Sequence, residues 1–276
     1  MTQTLSREVE GAQLPDTPSR SAFALALSDC RVLIGRNVKH ILRNTEMLFQ
    51  AVSLPIVLLL LFRFMFGGAI STSGGLAYID YLVPGLLAIS IAFNSTTTVV
   101  GVAADLTQGL VERFRSMPMA GPAVLVGHVA SGVLRSMLSF VVMVAVGLAI
   151  GFRPGGSVLG WLGAIALLVL FASGVFWLAT LLGSIAKTVE GAGGLGMILV
   201  FVPYATSALV PTASMPSVLR VVVENQPVTV LIDAVRGLMN GTDLGSTGWL
   251  ATAWWVVITA GAAYLAVRKF HQRARG

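Results

Sequence analysis

Six stretches of apolar residues, each about as long as a bilayer core is thick, constrain this chain more than any other feature. They run at about 48–67, 82–104, 130–151, 159–182, 192–211 and 248–267. A hydrocarbon core is crossed by about 20 helical residues. It offers no water to exposed backbone N–H and C=O groups, so each stretch must bond internally as a helix. The expected class is an all-α membrane protein with six transmembrane helices. Composition agrees: 55% of residues are hydrophobic and 11% charged, against about 25% charged in soluble domains.

The net charge of +6 does not indicate nucleic-acid binding, because the basic residues form no single patch. They flank the apolar stretches. Arg7, Arg20, Arg31, Arg36, Lys39 and Arg43 precede the first; Arg113 and Arg115 follow the second; Lys187 follows the fourth; Arg268, Lys269, Arg273 and Arg275 follow the last. The other side holds Arg153, Arg220 and Arg236, with Arg63 near a boundary and Arg135 inside the third stretch. Positive loops stay in the cytoplasm, so both termini are expected inside a plasma membrane crossed many times. Arg63 either snorkels or pairs structurally, or it faces a polar cavity.

Cys30 is the only cysteine, which excludes an intrachain disulfide and a cysteine-based metal site. Residues 1–21 are polar, with no apolar core or cleavage pattern, and read as a disordered cytosolic tail rather than a signal peptide. Residues 22–276 read as one transmembrane domain. Within it, Phe23, Leu27, Cys30, Ile34, Val38 and Ile41 recur at helical spacing up to Arg43, opposite Asp29, Arg36, Lys39, His40 and Arg43. That pattern predicts an N-terminal interfacial amphipathic helix, acting as an anchor alone or also as a docking face.

Between the second and third stretches, Asp105 and Gln108 resemble a capping box that would start a short helix, ended before Pro118. It would carry Glu112, Arg113 and Arg115 around Phe114. An aromatic ringed by charge suits a groove on a partner; an interfacial turn is the plainer alternative. Between the fifth and sixth stretches, prolines 211, 216 and 227 cut residues 212–247 into pieces too short to cross. Ser217–Asn225 and Val228–Met239 each carry apolar residues at helical spacing. They predict an external re-entrant hairpin with Glu224, Asp233 and Arg236 at its wet edge, ended by a left-handed cap at Asn240-Gly241.

Taken in order, the entry helix with Arg43-Asn44-Thr45-Glu46, the segment Tyr78-Ile79-Asp80-Tyr81-Leu82-Val83-Pro84-Gly85, the segment Glu112-Arg113-Phe114-Arg115-Ser116-Met117-Pro118-Met119, and Met215-Pro216, Asn225-Gln226-Pro227 and Asp233-Ala234-Val235-Arg236 resemble the membrane (permease) subunit of ABC exporters of the daunorubicin-resistance and polysaccharide-export type. The resemblance covers Phe23 to Lys269. It implies an ATP-driven exporter of hydrophobic or amphipathic compounds (drug, antibiotic or lipid). This chain would pair with a second permease copy or paralogue, and separate ATP-binding cassette subunits would carry the ATP and magnesium. By the same resemblance Gly109, Glu112, Arg113, Phe114, Arg115 and Pro118, with Arg36 and Arg43, would dock the ATPase. Asn94, Ser95, Thr97, Thr98, Pro203 and Tyr204 would line the translocation path, although helix–helix hydrogen bonding accounts equally well for the polar stripe in the second stretch. Asn225, Gln226, Pro227, Asp233 and Arg236 would form an external gate. Two departures from the family pattern are Arg63 and the Lys187-Thr188-Val189-Glu190 turn, where many relatives have apolar residues and a proline-containing loop.

No catalytic residue, metal site or bound cofactor is expected on this chain. The only Lys-Thr pair, Lys187-Thr188, follows Ala186 rather than the glycine a phosphate-binding loop needs. His40, His128 and His271 are scattered, without zinc spacing. The alternative is an ion-gradient-coupled secondary transporter. It is disfavoured because Asp80, Asp105, Glu112, Glu190, Glu224 and Asp233 all fall at stretch ends or in loops, away from the midplane where such transporters hold carboxylates.

Overall fold

The computed structural model describes residues 45–68, 70, 76–107, 122–242 and 244–275. Among them there is no β-strand. The helices are α1 (Thr45–Leu61), continued by a π-helical turn (Phe62–Phe66), α2 (Tyr78–Thr107), α3 (Pro122–Ala149), α4 (Val158–Ile185), α5 (Val189–Phe201) with a 3-10 turn (Val202–Ala205), α6 (Ser217–Asn225), α7 (Pro227–Asn240) and α8 (Thr247–Arg275). Among the described residues five segments are long and apolar enough to cross a membrane: Phe49–Phe66, Tyr78–Thr107, Val124–Ala149, Val158–Ile185 and Thr247–Gln272.

α2 is the centre of the packing. Every residue from Tyr78 to Ala92 is buried, as expected of a helix apolar on all sides. It packs against α1, α3, α4, α5 and α7, while α8 packs on α4 and α7. Phe171 of α4 meets Trp255 of α8 edge to face, ring centroids 4.5 Å apart. The outer faces of α1, α4 and α8 stay apolar: Phe49, Val57, Leu159, Trp249 and Val257 are all exposed. In water such a surface would drive aggregation; in lipid it costs nothing.

Local chemistry explains the helix ends. Ser157 accepts from the Gly160 N–H at 3.1 Å and caps α4, and Thr188 does the same for α5 through Gly191 at 3.0 Å, each satisfying a donor the first turn leaves free. The glycine at the close of α7, Gly241, takes φ +73°, the left-handed cap expected there.

Two stretches depart from expectation. The fifth, expected over 192–211, is α-helical only to Phe201 and then tightens into a 3-10 turn ending at Ala205. Pro203 cannot donate to the carbonyl four residues back and its ring crowds that carbonyl. The chain therefore leaves the α-helix there, and Val189–Ala205 is shorter than the five membrane-length segments. Asp105 does not begin a new helix, because α2 runs on through Thr107 and the Asp105 carboxylate is committed to His128 of α3 at 2.7 Å. The entry helix (Phe23 to Arg43), the tail over 1–21, and the docking residues Arg36, Arg43, Gly109, Glu112, Arg113, Phe114, Arg115 and Pro118 lie outside the described residues.

Candidate functional site

Where α5 gives out, the backbone carbonyls freed by the broken helix need partners, since a buried unpaired carbonyl is costly. Side chains from α2 and α7 supply them. The Tyr81 hydroxyl donates to Ser207 O at 2.6 Å, and the Tyr78 hydroxyl to Leu209 O at 2.9 Å. Arg236 Nη2 donates to the same Ser207 O at 3.0 Å. The Gln226 amide donates to Ala205 O, and the Thr206 hydroxyl closes onto Pro203 O. Irregular backbone at membrane depth is tolerated only where protein covers it in this way. Gly85 makes the approach possible: a Cβ there would stand 2.1 Å from Ala208 O.

Arg236 is the hub. Its Nε donates to Tyr81 O at 3.1 Å, its Nη1 pairs with Asp233, and its guanidinium carbon lies 3.6 Å from the Tyr81 ring centroid, a cation–π stack. Ser207 Oγ donates to Asp233 Oδ1 at 2.9 Å. One turn on, Asn240 Nδ2 donates to Asp80 O at 3.2 Å, and Asp80 Oδ1 accepts from the Arg153 N–H at 2.8 Å. The start of α2, residues 205–209 and α7 are thereby tied together.

The residues proposed as an external gate separate accordingly. Asp233 and Arg236 sit in one ion pair, and Gln226 reaches the same break. Pro227 occupies the first turn of α7, with its carbonyl accepting from the Trp255 indole at 3.2 Å. Asn225 bonds only its own helix, to Val221 O at 2.8 Å. Glu224 and Asp233 are exposed, with side chains 41% and 43% accessible. Arg236 is not: it is buried, because α7 lies against α2. On α6, Glu224 accepts from Arg220 Nε at 2.7 Å and from Thr212 at 2.8 Å. These bonds, that of Arg220 foremost, hold its carboxyl below the usual range.

The residues proposed for a path fall in two places. Pro203 is buried at the α5 break and Tyr204 is exposed beside it. Asn94, Ser95 and Thr98 are buried on α2. Ser95 donates to Ala92 O at 2.6 Å and Thr97 to Asn94 O at 2.9 Å, so both hydroxyls are turned onto their own helix. Thr97 also accepts from Arg135 Nη1 of α3. Tyr81, Ser207 and Arg135 carry much of this chemistry and had not been singled out as site residues. Arg135 had the clearest signal in the sequence, a cation inside an apolar stretch. Among the described residues no group of three or more His, Cys, Asp and Glu is placed to hold a metal.

A bundle with five membrane-length helices, lipid-compatible outer faces and a packed polar break in a further apolar helix defines a multi-pass helical membrane protein. The family model for the ABC-2 type transporter matches residues 28–240. Over 224 residues, 81% of this chain and 79% of the relative, the sequence is 30% identical to the daunorubicin resistance ABC transporter permease protein DrrB1 of Streptomyces coeruleorubidus. It is 22% identical over 245 residues, 87% of each chain, to the protein named "Probable doxorubicin resistance ABC transporter permease protein DrrC" of Mycobacterium tuberculosis H37Rv. The chain belongs to the ABC-2 type transporter family.

Proposed function

We propose that this chain is the membrane subunit of an ATP-driven exporter of hydrophobic or amphipathic compounds (a drug, antibiotic or lipid) in a bacterial plasma membrane. The observation that carries the reading is the family match across residues 28–240. ATP is hydrolysed by separate cassette subunits, since this sequence has no phosphate-binding loop. A second permease copy or paralogue completes the translocation unit, and both termini face the cytoplasm. Val189–Ala205 is a sixth crossing, about 25 Å of helix extended by the braced segment after it. α6 and α7 form the external re-entrant hairpin. The exposed apolar side chains of Val218, Val221 and Val222 on α6 fit a helix touching lipid or a second subunit.

In this reading the segment around Phe114 is the coupling element. Closure of the cassette subunits on ATP moves it as a lever and shifts α2 and α5 between inward- and outward-open arrangements. The test is gentle purification from the native membrane followed by identification of co-purifying subunits. A stoichiometric ATP-binding subunit is expected, and it is lost when Phe114 and Arg115 both become alanine. Absence of any ATPase in repeated preparations would sink the proposal, and the test would then move to imposed proton and sodium gradients.

A further inference from the structure

Asn94 and Arg135 each stand about thirteen residues from the nearer end of α2 and α3, about 20 Å along the axis. Between them and α1 lies a small cavity of about 50 Å³, lined by Gln50, Ala51, Phe93, Asn94, Thr96, Thr97 and Arg135. Among the described residues its wall contains a guanidinium and no carboxylate. Arg135 Nη1 donates to the Thr97 hydroxyl. Arg135 Nε and Asn94 Nδ2 are enclosed and have no hydrogen-bond acceptor, and Arg135 makes no ion pair among the described residues. Asn94 is 3% exposed. The Thr96 hydroxyl is turned away onto Phe93 O at 2.8 Å.

An enclosed guanidinium N–H without an acceptor needs one, and an anion answers both the bond and the charge. Water filling the cavity would satisfy N–H groups but would not neutralise the cation. With Nη1 spent on Thr97, the Nε–Nη2 edge of the guanidinium remains, and that fork matches the two oxygens of a carboxylate or phosphate. The Asn94 amide supplies one more donor. On the same measure a single water needs only about 10–15 Å³, so the cavity has room for such a group. Phe93 and Ala51 beside it are apolar, and Gln50 at the rim is exposed.

We infer that the space between α1, α2 and α3 is a binding site for a single oxyanion, a carboxylate or phosphate group carried on an otherwise apolar molecule, held by Arg135 and Asn94. That this molecule belongs to the exported class rests on the proposed function; binding of the anion does not.

The test is equilibrium titration of the full chain, purified in a neutral detergent without any ATPase subunit, with octanoate, octanol and inorganic phosphate. Octanoate is expected to bind about tenfold or more tightly than octanol, the size of one charge-assisted hydrogen bond. Arg135→Gln abolishes that preference. Asn94→Asp abolishes it too, by supplying the counter-charge from within, and raises rather than lowers thermal stability, which keeps the test valid if Arg135→Gln fails to fold. Phosphate binding as tightly as octanoate would assign the site to a free ion, and octanoate binding alone to an amphipathic ligand; both support an oxyanion site. Equal affinity for octanoate and octanol, or an unchanged preference in both variants, overturns it. Because no nucleotide or partner enters the titration, loss of the exporter reading would leave its result untouched.

Discussion

Two arginines inside this bundle meet opposite circumstances. Arg236 is saturated: two backbone carbonyls, one carboxylate and an aromatic face surround it. Arg135 holds one threonine hydroxyl, and its Nε has nothing. The first arrangement is what structural use of a buried cation looks like, since every guanidinium nitrogen is answered from within the chain. The second is a cation that the described residues of the chain do not answer. Burial by itself therefore does not tell a brace from a binding group; the list of partners does.

The sharpest test of that contrast replaces each arginine by methionine and compares thermal unfolding in detergent. Arg236→Met should cost about 3 kcal/mol, the low end of the range for breaking a buried pair because Asp233 keeps a wet side. Arg135→Met should be neutral or stabilising in the absence of ligand, as removal of an unanswered charge. Equal losses at the two positions would erase the distinction. Next in size is Gly85→Ala. The new methyl would press on Ala208 O, which is backbone and cannot rotate away, so strain of about 3 kcal/mol should exceed the roughly 1 kcal/mol gained in helix propensity. The expected readout is a lower unfolding temperature together with exposure of residues 206–209 to proteolysis. Wild-type behaviour would mean that the break is not tightly seated on α2.

The smallest effect lies at the exposed end of the hairpin. Glu224 has a lowered pKa in the fold, so its contribution is fully present above the ordinary value of 4.5 and is lost as pH falls through the lowered one. A spin label at position 218, in a chain with Cys30 replaced by serine, should gain mobility only below pH 4.5. In Glu224→Gln it should show that mobility at neutral pH. A label indifferent to both would mean that the Arg220 and Thr212 contacts do not restrain α6.

Five of the apolar stretches, 48–67, 82–104, 130–151, 159–182 and 248–267, were legible as helices because hydrocarbon imposes both their length and their composition. Their true ends were not. α3 begins at Pro122, eight residues before the expected 130, because Val124, Leu125 and Val126 prolong the apolar run and His128 among them finds a partner in Asp105. The two short helices after Pro216 and Gln226 were also legible, since proline punctuates locally. The fifth stretch misled because hydropathy counts Pro203 as one weakly apolar residue, whereas its missing N–H ends the α-helix. The inward turn of Arg236 was hidden for a different reason. Its partners, Tyr81 and Ser207, are distant in sequence, and helical periodicity shows that a face exists without showing what covers it.

The bond between Arg236 and Tyr81 joins residues 155 apart in the chain, and that separation sets a schedule. At ribosomal speeds of about 5–20 residues per second, the start of α2 waits about 8–30 s for α7 to be made. During that interval α2 is already committed to the membrane, while Tyr78, Asp80 and Tyr81 lack the contacts that later hold them. Newborn α2 is therefore the segment most exposed to quality-control proteases and most in need of an insertase or chaperone at its side, and the late synthesis of α7 is the event that ends that risk.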